Sequence, residues 1–322
     1  MKALVLTGQK KLEIQDIPKP TLISEGMLTS VEAVSICNST DYRIYAAPDP
    51  TAVWPNQKWP FVLGHEICGR IVEIGSQVKG WKIGERIVGW CPPYGGFAEY
   101  CQVYPDWMAS IHVPEKWPAE ETCILELAIG SCRSLVDSKG KTLINSNSKV
   151  LVVGLGPSGQ FYTQFARLMS AATIICIGRH EQRRRLALEL GADKVFDSDD
   201  QPYDKILQSI GKVDLLIDTS GADLRKEFYK ILHPGSMMVT FGVGFDWTRE
   251  LQELSKRQIT ISAGNREEAM FAANMITDWI NSGKLKLAPL ISHIITLEDI
   301  PKVLEDMKKN PNNYMKVVAK IK

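Results

Sequence analysis

A glycine pattern that directly follows a buried strand constrains the fold of this chain most. Residues 150–153 (Val-Leu-Val-Val) form a continuous apolar run that leads into G-x-G-x-x-G at 154–159 and then into helical spacing. In this context the first glycine makes a tight turn, the second lets the backbone approach a pyrophosphate, and the third lets helix pack on strand. The pyrophosphate would lie on the helix N-terminus, where free N–H groups favour negative charge. The candidate cofactor-binding residues of this loop are Gly154, Gly156, Pro157, Ser158 and Gly159.

The segment around this loop alternates strands with helices, which predicts a parallel, doubly wound sheet. Gly191 stands where the second of these helices should end. We therefore predict an α/β fold with a dinucleotide-binding domain at 129–285. Its strands are expected at 150–153, 173–177, 213–217, 237–241 and 259–263, with helices at 160–170 and 181–190.

The end of the second predicted strand carries no acid. A domain that binds NAD would place an acidic residue there to bind the ribose hydroxyls, whereas this chain has Gly178 and Arg179. Glycine leaves room for a 2′-phosphate, and Arg179, with Arg183 nearby, can hold it through bidentate hydrogen bonds. We therefore favour NADP(H) over NAD, with Glu181 as the one nearby acid that could restore NAD binding. The alternative is a solvated helix face, which we expect for the two arginines that follow, Arg184 and Arg185.

The first part of the chain has the sequence pattern of short β-strands, and the last part returns to that pattern. Short strand-like segments punctuated by Gly, Pro and Ser fill 1–128, and two further strands flank one helix in 286–322. We predict a β-rich domain at 1–128 to which 286–322 returns. Its strands are expected at 12–14, 28–34, 67–74, 86–88, 290–295 and 317–321, with a helix at 297–308.

Composition and charge argue against several functional classes. The formal net charge of +1 gives no pull toward nucleic acid or an anionic membrane, and no apolar run approaches the roughly 20 residues that span a bilayer. The N-terminal residues lack the layout of a signal peptide. The seven cysteines are scattered, with no C-x-x-C pair and no disulfide framework. We therefore expect a cytoplasmic protein with neither nucleic acid nor membrane as a partner.

An imidazole and a carboxylate stand side by side in Gly-His-Glu at 64–66, just after an apolar run. A histidine in this place can bind a metal ion, and Glu66 can be a further ligand or orient the first. Two more ligand candidates lie on other segments: Cys37, and Glu126 in an apolar stretch where an unpaired charge would be costly. Cys37, His65 and Glu126 together form a plausible zinc site with one open position. The alternatives are a hydrogen-bonded histidine, a buried free thiol and a capping or salt-bridged glutamate.

These features resemble the zinc-containing medium-chain alcohol dehydrogenases over nearly the whole chain. Residues 64–78 resemble the zinc signature of that family, and 84–88 and 95–100 are similar to its recurring strand elements. Residues 125–128 (Leu-Glu-Leu-Ala) look like the segment where polyol dehydrogenases place a glutamate ligand. The resemblance implies a GroES-like catalytic domain together with a Rossmann coenzyme domain.

The resemblance also implies ligands and chemistry. It carries Cys37, His65 and Glu126 over as zinc ligands, with Glu66 as a neighbouring group or alternating ligand. Zinc would act as a Lewis acid on the oxygen of an alcohol or ketone, while hydride passes to or from the nicotinamide. The glutamate ligand favours a polyol or cyclitol. The expected enzyme is a zinc-dependent, NADP(H)-preferring dehydrogenase of secondary alcohols, active as a homodimer or homotetramer.

The region after Cys37 departs from the family pattern Cys-x-Ser/Thr-Asp by one extra residue. Either Ser39 or Thr40 can therefore be the hydroxyl that relays the proton. Aligning on Asp41 instead puts Asn38 in the place of the cysteine, as in zinc-free quinone reductases of the superfamily. A zinc-free, NADPH-dependent quinone or enoyl reductase is the alternative function.

The region that holds a structural zinc in many relatives is the second departure. Those relatives carry four closely spaced cysteines there, whereas this chain has only Cys91 and Cys101. Two thiols cannot make a four-ligand structural site. We predict one catalytic zinc per chain and no structural zinc.

Two expectations concern surfaces. Family resemblance suggests that coenzyme domains pair through an edge strand, and 237–241 is apolar enough for that role, although an interior strand would look the same. Aromatic rings in the loops of the first domain can line a substrate pocket or pack in the core. These aromatic residues are Tyr45, Trp54, Trp59, Trp90 and Tyr94.

Overall fold

The computed structural model divides the chain into two compact units. It describes residues 1–53, 57–91, 95–105, 110–241, 251–262 and 264–321. One unit comprises Met1–Leu127 together with Leu287–Lys322, and the other comprises Ala128–Lys286. The second unit is thus inserted into the sequence of the first.

The secondary structure of the described residues follows the predicted texture, with strands dominating the first unit and strand–helix alternation in the second. The strands are β1 (Lys2–Gly8), β2 (Lys11–Asp16), β3 (Met27–Ser35), β4 (Phe61–Val62), β5 (Glu66–Ile74), β6 (Arg86–Trp90), β7 (Tyr100–Val103), β8 (Ile111–His112), β9 (Lys149–Val153), β10 (Thr173–Ile177), β11 (Lys194–Phe196), β12 (Val213–Asp218), β13 (Leu232–Thr240), β14 (Thr260–Ser262), β15 (Ile291–Thr296) and β16 (Lys316–Lys320). The helices are α1 (Thr40–Ala46), α2 (Ala119–Thr122), α3 (Leu125–Cys132), α4 (Pro157–Leu168), α5 (Glu181–Glu189), α6 (Tyr203–Ile210), α7 (Arg225–Phe228), α8 (Leu251–Lys256), α9 (Arg266–Asn281) and α10 (Ile300–Lys309).

The β-rich unit is organised around the pairing of β3 with its neighbours. β3 lies between β16 and β5 and is antiparallel to both, in a sheet of order β15-β16-β3-β5-β6-β8. A second sheet has the order β2-β1-β4. In this register Ser35 stands opposite Val318 on one side and Glu66 on the other. The returning strand β16 therefore lies directly beside the strand that precedes Cys37.

The inserted unit contains a parallel sheet of order β11-β10-β9-β12-β13-β14. This is the doubly wound order in which the first strand lies at the centre and a nucleotide binds at its carboxyl end. The loop at 154–159 joins the central strand β9 to α4. The predicted α/β fold, a β-rich domain with a doubly wound parallel sheet, is confirmed.

The strand at 237–241 does not lie at the edge of this sheet. Its residues 237–240 belong to β13, which is hydrogen-bonded to β12 on one side and to β14 on the other. Its apolar sequence is explained by burial on both sides, as Met238 and Val239 are fully buried. Among the described strands, β14 is the edge on this side of the sheet.

No helix of the described residues combines the length with the apolar character that crossing a bilayer demands.

We predict that Gly159→Ala destabilises the inserted unit more than Gly156→Ala does. A Cβ at Gly159 would lie 1.9 Å from the carbonyl oxygen of Gly154, so the backbone must shift. Overpacking of this kind costs roughly 1–3 kcal/mol. A Cβ at Gly156 meets no described atom within 4 Å. Urea unfolding of the two variants measures the difference, and equal free energies of unfolding would contradict this close approach of helix to strand.

Candidate metal centre and cofactor site

The candidate metal centre is formed where β3 ends and β5 begins. Cys37 follows β3 after one residue, and His65 directly precedes β5, whose first residue is Glu66. The antiparallel register brings these two strand ends together. The ligand atoms of Cys37, His65 and Glu66 lie within 4.8 Å of one another, and no other such group occurs in the described part of the chain. A thiolate, an imidazole and a carboxylate are a donor set that suits Zn²⁺.

Gly64 makes the turn that presents His65. Its φ of +85° is in the left-handed region, where L side chains are strained. A Cβ there would lie 2.5 Å from the ring of Phe97 and 2.9 Å from the backbone nitrogen of the same residue. The carbonyl of Gly64 accepts hydrogen bonds from the backbone of Gly95 and Gly96, at 3.1 and 2.9 Å. Only glycine therefore fits at the first position of the Gly-His-Glu motif.

Asp41 connects two of the candidate ligands. Its Oδ2 accepts a hydrogen bond from the backbone N–H of Cys37 at 2.8 Å, and its Oδ1 lies 3.4 Å from Nδ1 of His65. Burial alone would lower the pKa of His65, but the Asp41 carboxylate, together with Cys37, raises that pKa well above its usual value. A proton held on Nδ1 beside Asp41 leaves Nε2 for a metal ion. Asp41 thus orients the histidine and anchors the cysteine backbone.

The Cys37 thiol is surrounded by groups that favour its thiolate. Its Sγ accepts a hydrogen bond from the backbone N–H of Thr40 at 3.5 Å, and lies 3.5 Å from Oγ of Ser39. Burial raises the pKa of Cys37, but the hydrogen bond and charge of His65, with the charge of Lys316, bring it below its usual value. The thiolate is the form that binds a metal ion. Ser39 and Thr40, the two candidates for the proton relay, therefore both lie beside Cys37.

Lys316 is the residue of this centre that the sequence analysis missed. Its side chain is 2% exposed, and its Nζ donates to Glu66 Oε1 at 2.7 Å and to the carbonyl of Ile36 at 3.0 Å. Ser35 Oγ donates to the other oxygen of Glu66. Desolvation lowers the pKa of Lys316, but the charges of Glu66 and Cys37 raise it above its usual value. A lysine inside the apolar run 315–319 was the available signal, because a charge in a buried strand requires a partner.

Glu126 lies in the first turn of α3 and is half-buried. Within the described residues it is not a member of the 4.8 Å group. Burial and Cys101 raise the pKa of the Cys91 thiol well above its usual value; His65 acts to lower it and Glu126 to raise it. Glu126 and His65 therefore both act electrostatically on the same buried thiol. Glu126 as a zinc ligand remains a prediction.

The aromatic residues considered for a substrate pocket divide into three groups. Tyr45 is 4% exposed in the core of the β-rich unit, and Trp59 packs against the same core. Trp90 is half-buried and stands opposite Glu66 in the pairing of β5 with β6. Two others, Trp54 and Tyr94, lie outside the described residues.

The glycine loop, residues 154–159, has the geometry of a pyrophosphate site. Gly154 has a φ of +91°, and its carbonyl accepts a hydrogen bond from Thr219 Oγ1 at 2.9 Å. Gly156 is the N-cap of α4, and Pro157 and Ser158 are its first residues, followed by Gly159. A Cβ at Gly156 would point into open space with respect to the described residues, which leaves room for a ligand at the helix N-terminus.

The arginine turn, residues 178–184, follows β10. A Cβ at Gly178 would lie 2.9 Å from the Leu155 side chain, so this position is narrow. Burial lowers the pKa of the Arg183 guanidinium, and the charge of Arg179 lowers it further. A bound anion would offset this repulsion between the two positive charges. The acid that could have favoured NAD, Glu181, pairs instead with Arg185 on the exposed side of α5.

Arg184 is not on a solvated face, contrary to the expectation from sequence. Its side chain is only 15% exposed, because Nη1 donates to the carbonyl of Gly178 at 2.9 Å and Nη2 pairs with Asp197 at 2.6 Å. Arg185 is 72% exposed, as expected. Arg184 therefore fixes the backbone of the arginine turn.

Two family models match the chain, and between them they cover more than half of it. The model of the alcohol dehydrogenase GroES-like domain matches residues 24–115. The model of the zinc-binding dehydrogenase matches residues 157–278. These matches fall on the β-rich unit and on the inserted unit, respectively.

Individual relatives agree with these models. The uncharacterised zinc-type alcohol dehydrogenase-like protein YdjL of Escherichia coli K12 is 28% identical, over 92% of this chain and 93% of its own. A Sinorhizobium meliloti 1021 protein described as a zinc-binding dehydrogenase bound to NADP has a TM-score of 0.77 and 24% identity, over 99% of this chain and 98% of its own. The quinone oxidoreductase of Coxiella burnetii has a TM-score of 0.83 and 22% identity, over 100% and 99%. The last two show likeness of fold.

We predict that Lys316→Met strongly destabilises the β-rich unit. Removing one partner of a buried ion pair leaves an uncompensated charge, here on Glu66, which costs roughly 3–5 kcal/mol. The double variant Lys316→Met/Glu66→Gln should recover most of this loss. The control is Lys320→Met on the same strand, whose amino group is exposed and pairs with Glu120 at 2.9 Å. Urea unfolding in the presence of a chelator measures all three, and a Lys316→Met variant as stable as the control would disprove the role of the pair.

Proposed function

Since the chain belongs to the medium-chain dehydrogenase/reductase superfamily, we propose that it is a zinc-dependent, NADP(H)-preferring oxidoreductase. It transfers hydride between the nicotinamide and a secondary alcohol, polyol or cyclitol, or the matching ketone. The observation that carries this proposal is the group of Cys37 and His65 oriented by Asp41. A thiolate and an imidazole in this arrangement fit a zinc ion.

The zinc ligands that we propose are Cys37, His65 and Glu126. Glu66 has both carboxylate oxygens engaged, one by Lys316 and the other by Ser35. These contacts stabilise Glu66 as a neighbour of the metal and leave the third ligand position to Glu126. Zinc bound there would supply Lewis-acid polarisation of the substrate oxygen, and NADP(H) would supply or accept the hydride.

The proton of the substrate hydroxyl needs an acceptor among the residues of this chain. Ser39 and Thr40 are the candidates, because Ser39 Oγ and the Thr40 backbone both lie 3.5 Å from Cys37 Sγ. A hydroxyl both accepts and donates a hydrogen bond, so it can pass the proton on without becoming charged. Glu66, held in an ion pair with Lys316, would lie beside the metal and does not need to move the proton.

The cofactor assignment rests on the inserted unit. The glycine loop takes the pyrophosphate at the N-terminus of α4. Arg179 and Arg183 bind the 2′-phosphate. Gly178 accommodates the Leu155 side chain, which a Cβ there would meet at 2.9 Å. The pairing of Glu181 with Arg185 supports this preference, because it occupies the acid that could have bound the ribose of NAD.

The substrate class is inferred from the segment that carries Glu126. The segment Leu-Glu-Leu-Ala at 125–128 resembles the glutamate-ligand segment of polyol dehydrogenases, which favours a polyhydroxylated substrate. The expected assembly is a homodimer or homotetramer. A panel of secondary alcohols, polyols and cyclitols, each with NADP⁺ and with NAD⁺, tests the class.

We predict about one zinc ion per chain, held through Glu126 rather than Glu66. His65→Ala and Glu126→Gln should each lose the zinc and the turnover, while NADPH still binds. The matched control, Lys316→Met/Glu66→Gln, removes the other carboxylate together with its partner and should keep the zinc. Elemental analysis and calorimetric titration with NADPH give the two readouts. A zinc-free wild-type protein that reduces quinones with NADPH would assign the alternative function.

We predict that Arg179→Ala raises the Kd for NADP⁺ by about 10–100-fold and leaves the Kd for NAD⁺ nearly unchanged. The loss of charge-assisted hydrogen bonds to a phosphate, roughly 1.5–3 kcal/mol, gives this magnitude. The control is Arg185→Ala, which removes an exposed arginine of α5 that is paired with Glu181. Isothermal titration calorimetry measures both dinucleotides, and an equal effect of the two variants would argue against the phosphate site.

A further inference from the structure

Gln160 is a buried amide that the proposed function does not yet use. It directly follows the glycine loop, in the first turns of α4, and its side chain is 0% exposed. Its Nε2 donates to the carbonyl of Arg183 at 2.8 Å and to the carbonyl of Leu155 at 3.4 Å. One side chain therefore connects the glycine loop to the arginine turn.

The carbonyl oxygen of the Gln160 amide lowers the stability of the folded protein. Its Oε1 is buried and has no hydrogen-bond partner among the described residues. An unsatisfied buried acceptor is destabilising, and an apolar residue of similar volume would avoid this cost. The stabilising part of Gln160 is thus its Nε2, and both hydrogen bonds of this atom go to backbone that borders the cofactor site.

The arginine turn is held from two directions. Arg184 ties it to Asp197, and Gln160 ties it to α4. The contact from Gln160 is to the backbone of Arg183, the residue whose guanidinium is affected by the positive charge of Arg179. A shift of the Arg183 backbone would move this guanidinium relative to the glycine loop.

We propose that Gln160 is a positioning residue for coenzyme selection, in that its carboxamide fixes the separation between the glycine loop and the arginine turn. NADP(H) carries a pyrophosphate and a 2′-phosphate that are joined through one ribose, so their separation is limited and both groups bind well only if these two segments are correctly spaced. NAD(H) lacks the 2′-phosphate and depends less on this spacing. The inference rests on the proposed NADP(H) preference.

The test compares two glutamines of the same helix. Gln160→Met keeps the unbranched shape and removes the donor. The control, Gln164→Met, removes an equally buried amide whose Nε2 and Oε1 bond to the backbone of Lys286, at 3.1 and 2.8 Å, and not to the cofactor loops. Calorimetric titration of each full-length variant gives the Kd for NADP⁺ and NAD⁺, and differential scanning calorimetry gives the Tm.

We expect Gln160→Met to raise the Kd for NADP⁺ about 10-fold and that for NAD⁺ by less than about 3-fold, so that the preference falls. Gln164→Met should lower the Tm and leave the ratio of the two Kd values as in the wild type. If Gln160 acts through Arg183, then Gln160→Met/Arg183→Ala should have the same ratio as Arg183→Ala alone.

The failures of the two ideas are distinguishable. A wild-type protein with no preference for NADP⁺ would overturn the coenzyme assignment and the role of Gln160 with it. A preference that Arg179→Ala abolishes and Gln160→Met preserves would overturn the role of Gln160 alone. An equal change of both Kd values in Gln160→Met, or a change of their ratio in Gln164→Met, would show a general loosening of α4. Either result would also overturn the role of Gln160.

Discussion

The candidate metal centre depends on the buried ion pair between Lys316 and Glu66. Each charge is almost fully removed from water, so neither can be buried without the other. The pair requires β16 to lie beside β3, and the same sheet brings the end of β3 to the start of β5. Because Cys37 and His65 stand at those two strand ends, the geometry that satisfies the ion pair also assembles the candidate ligands.

The inserted unit meets a different constraint, which is the close approach of a helix to the loop that follows its central strand. Gly159 lets α4 approach β9 so closely that no Cβ fits, and Gly154 supplies the left-handed turn before it. In the function that we propose, the coenzyme specificity comes from the neighbouring segment, where Arg179 and Arg183 supply positive charge. The glycine loop and the arginine turn thus follow two adjacent strands, β9 and β10, of one sheet.

The sequence predicted what local pattern and steric necessity determine. The doubly wound fold and the glycine loop were predictable, because periodicity and the glycine spacing leave few alternatives. The contacts that connect distant segments were not predictable. Lys316 could not be paired with Glu66 from one sequence, and Arg184 looked like a solvated helix residue because its partner Asp197 is reached only in the folded unit.

The insertion of one unit within the other has a consequence for how the protein acquires its fold. The hydrogen bond between Lys316 and Glu66 joins residues 250 positions apart, and the whole inserted unit is synthesised between them. During synthesis, the N-terminal strands therefore carry the Glu66 carboxylate without its partner until the complete inserted unit has been made. Contacts of such sequence separation form late, since their loop-closure entropy must be overcome first. The candidate metal centre should accordingly form last, after the inserted unit has already folded.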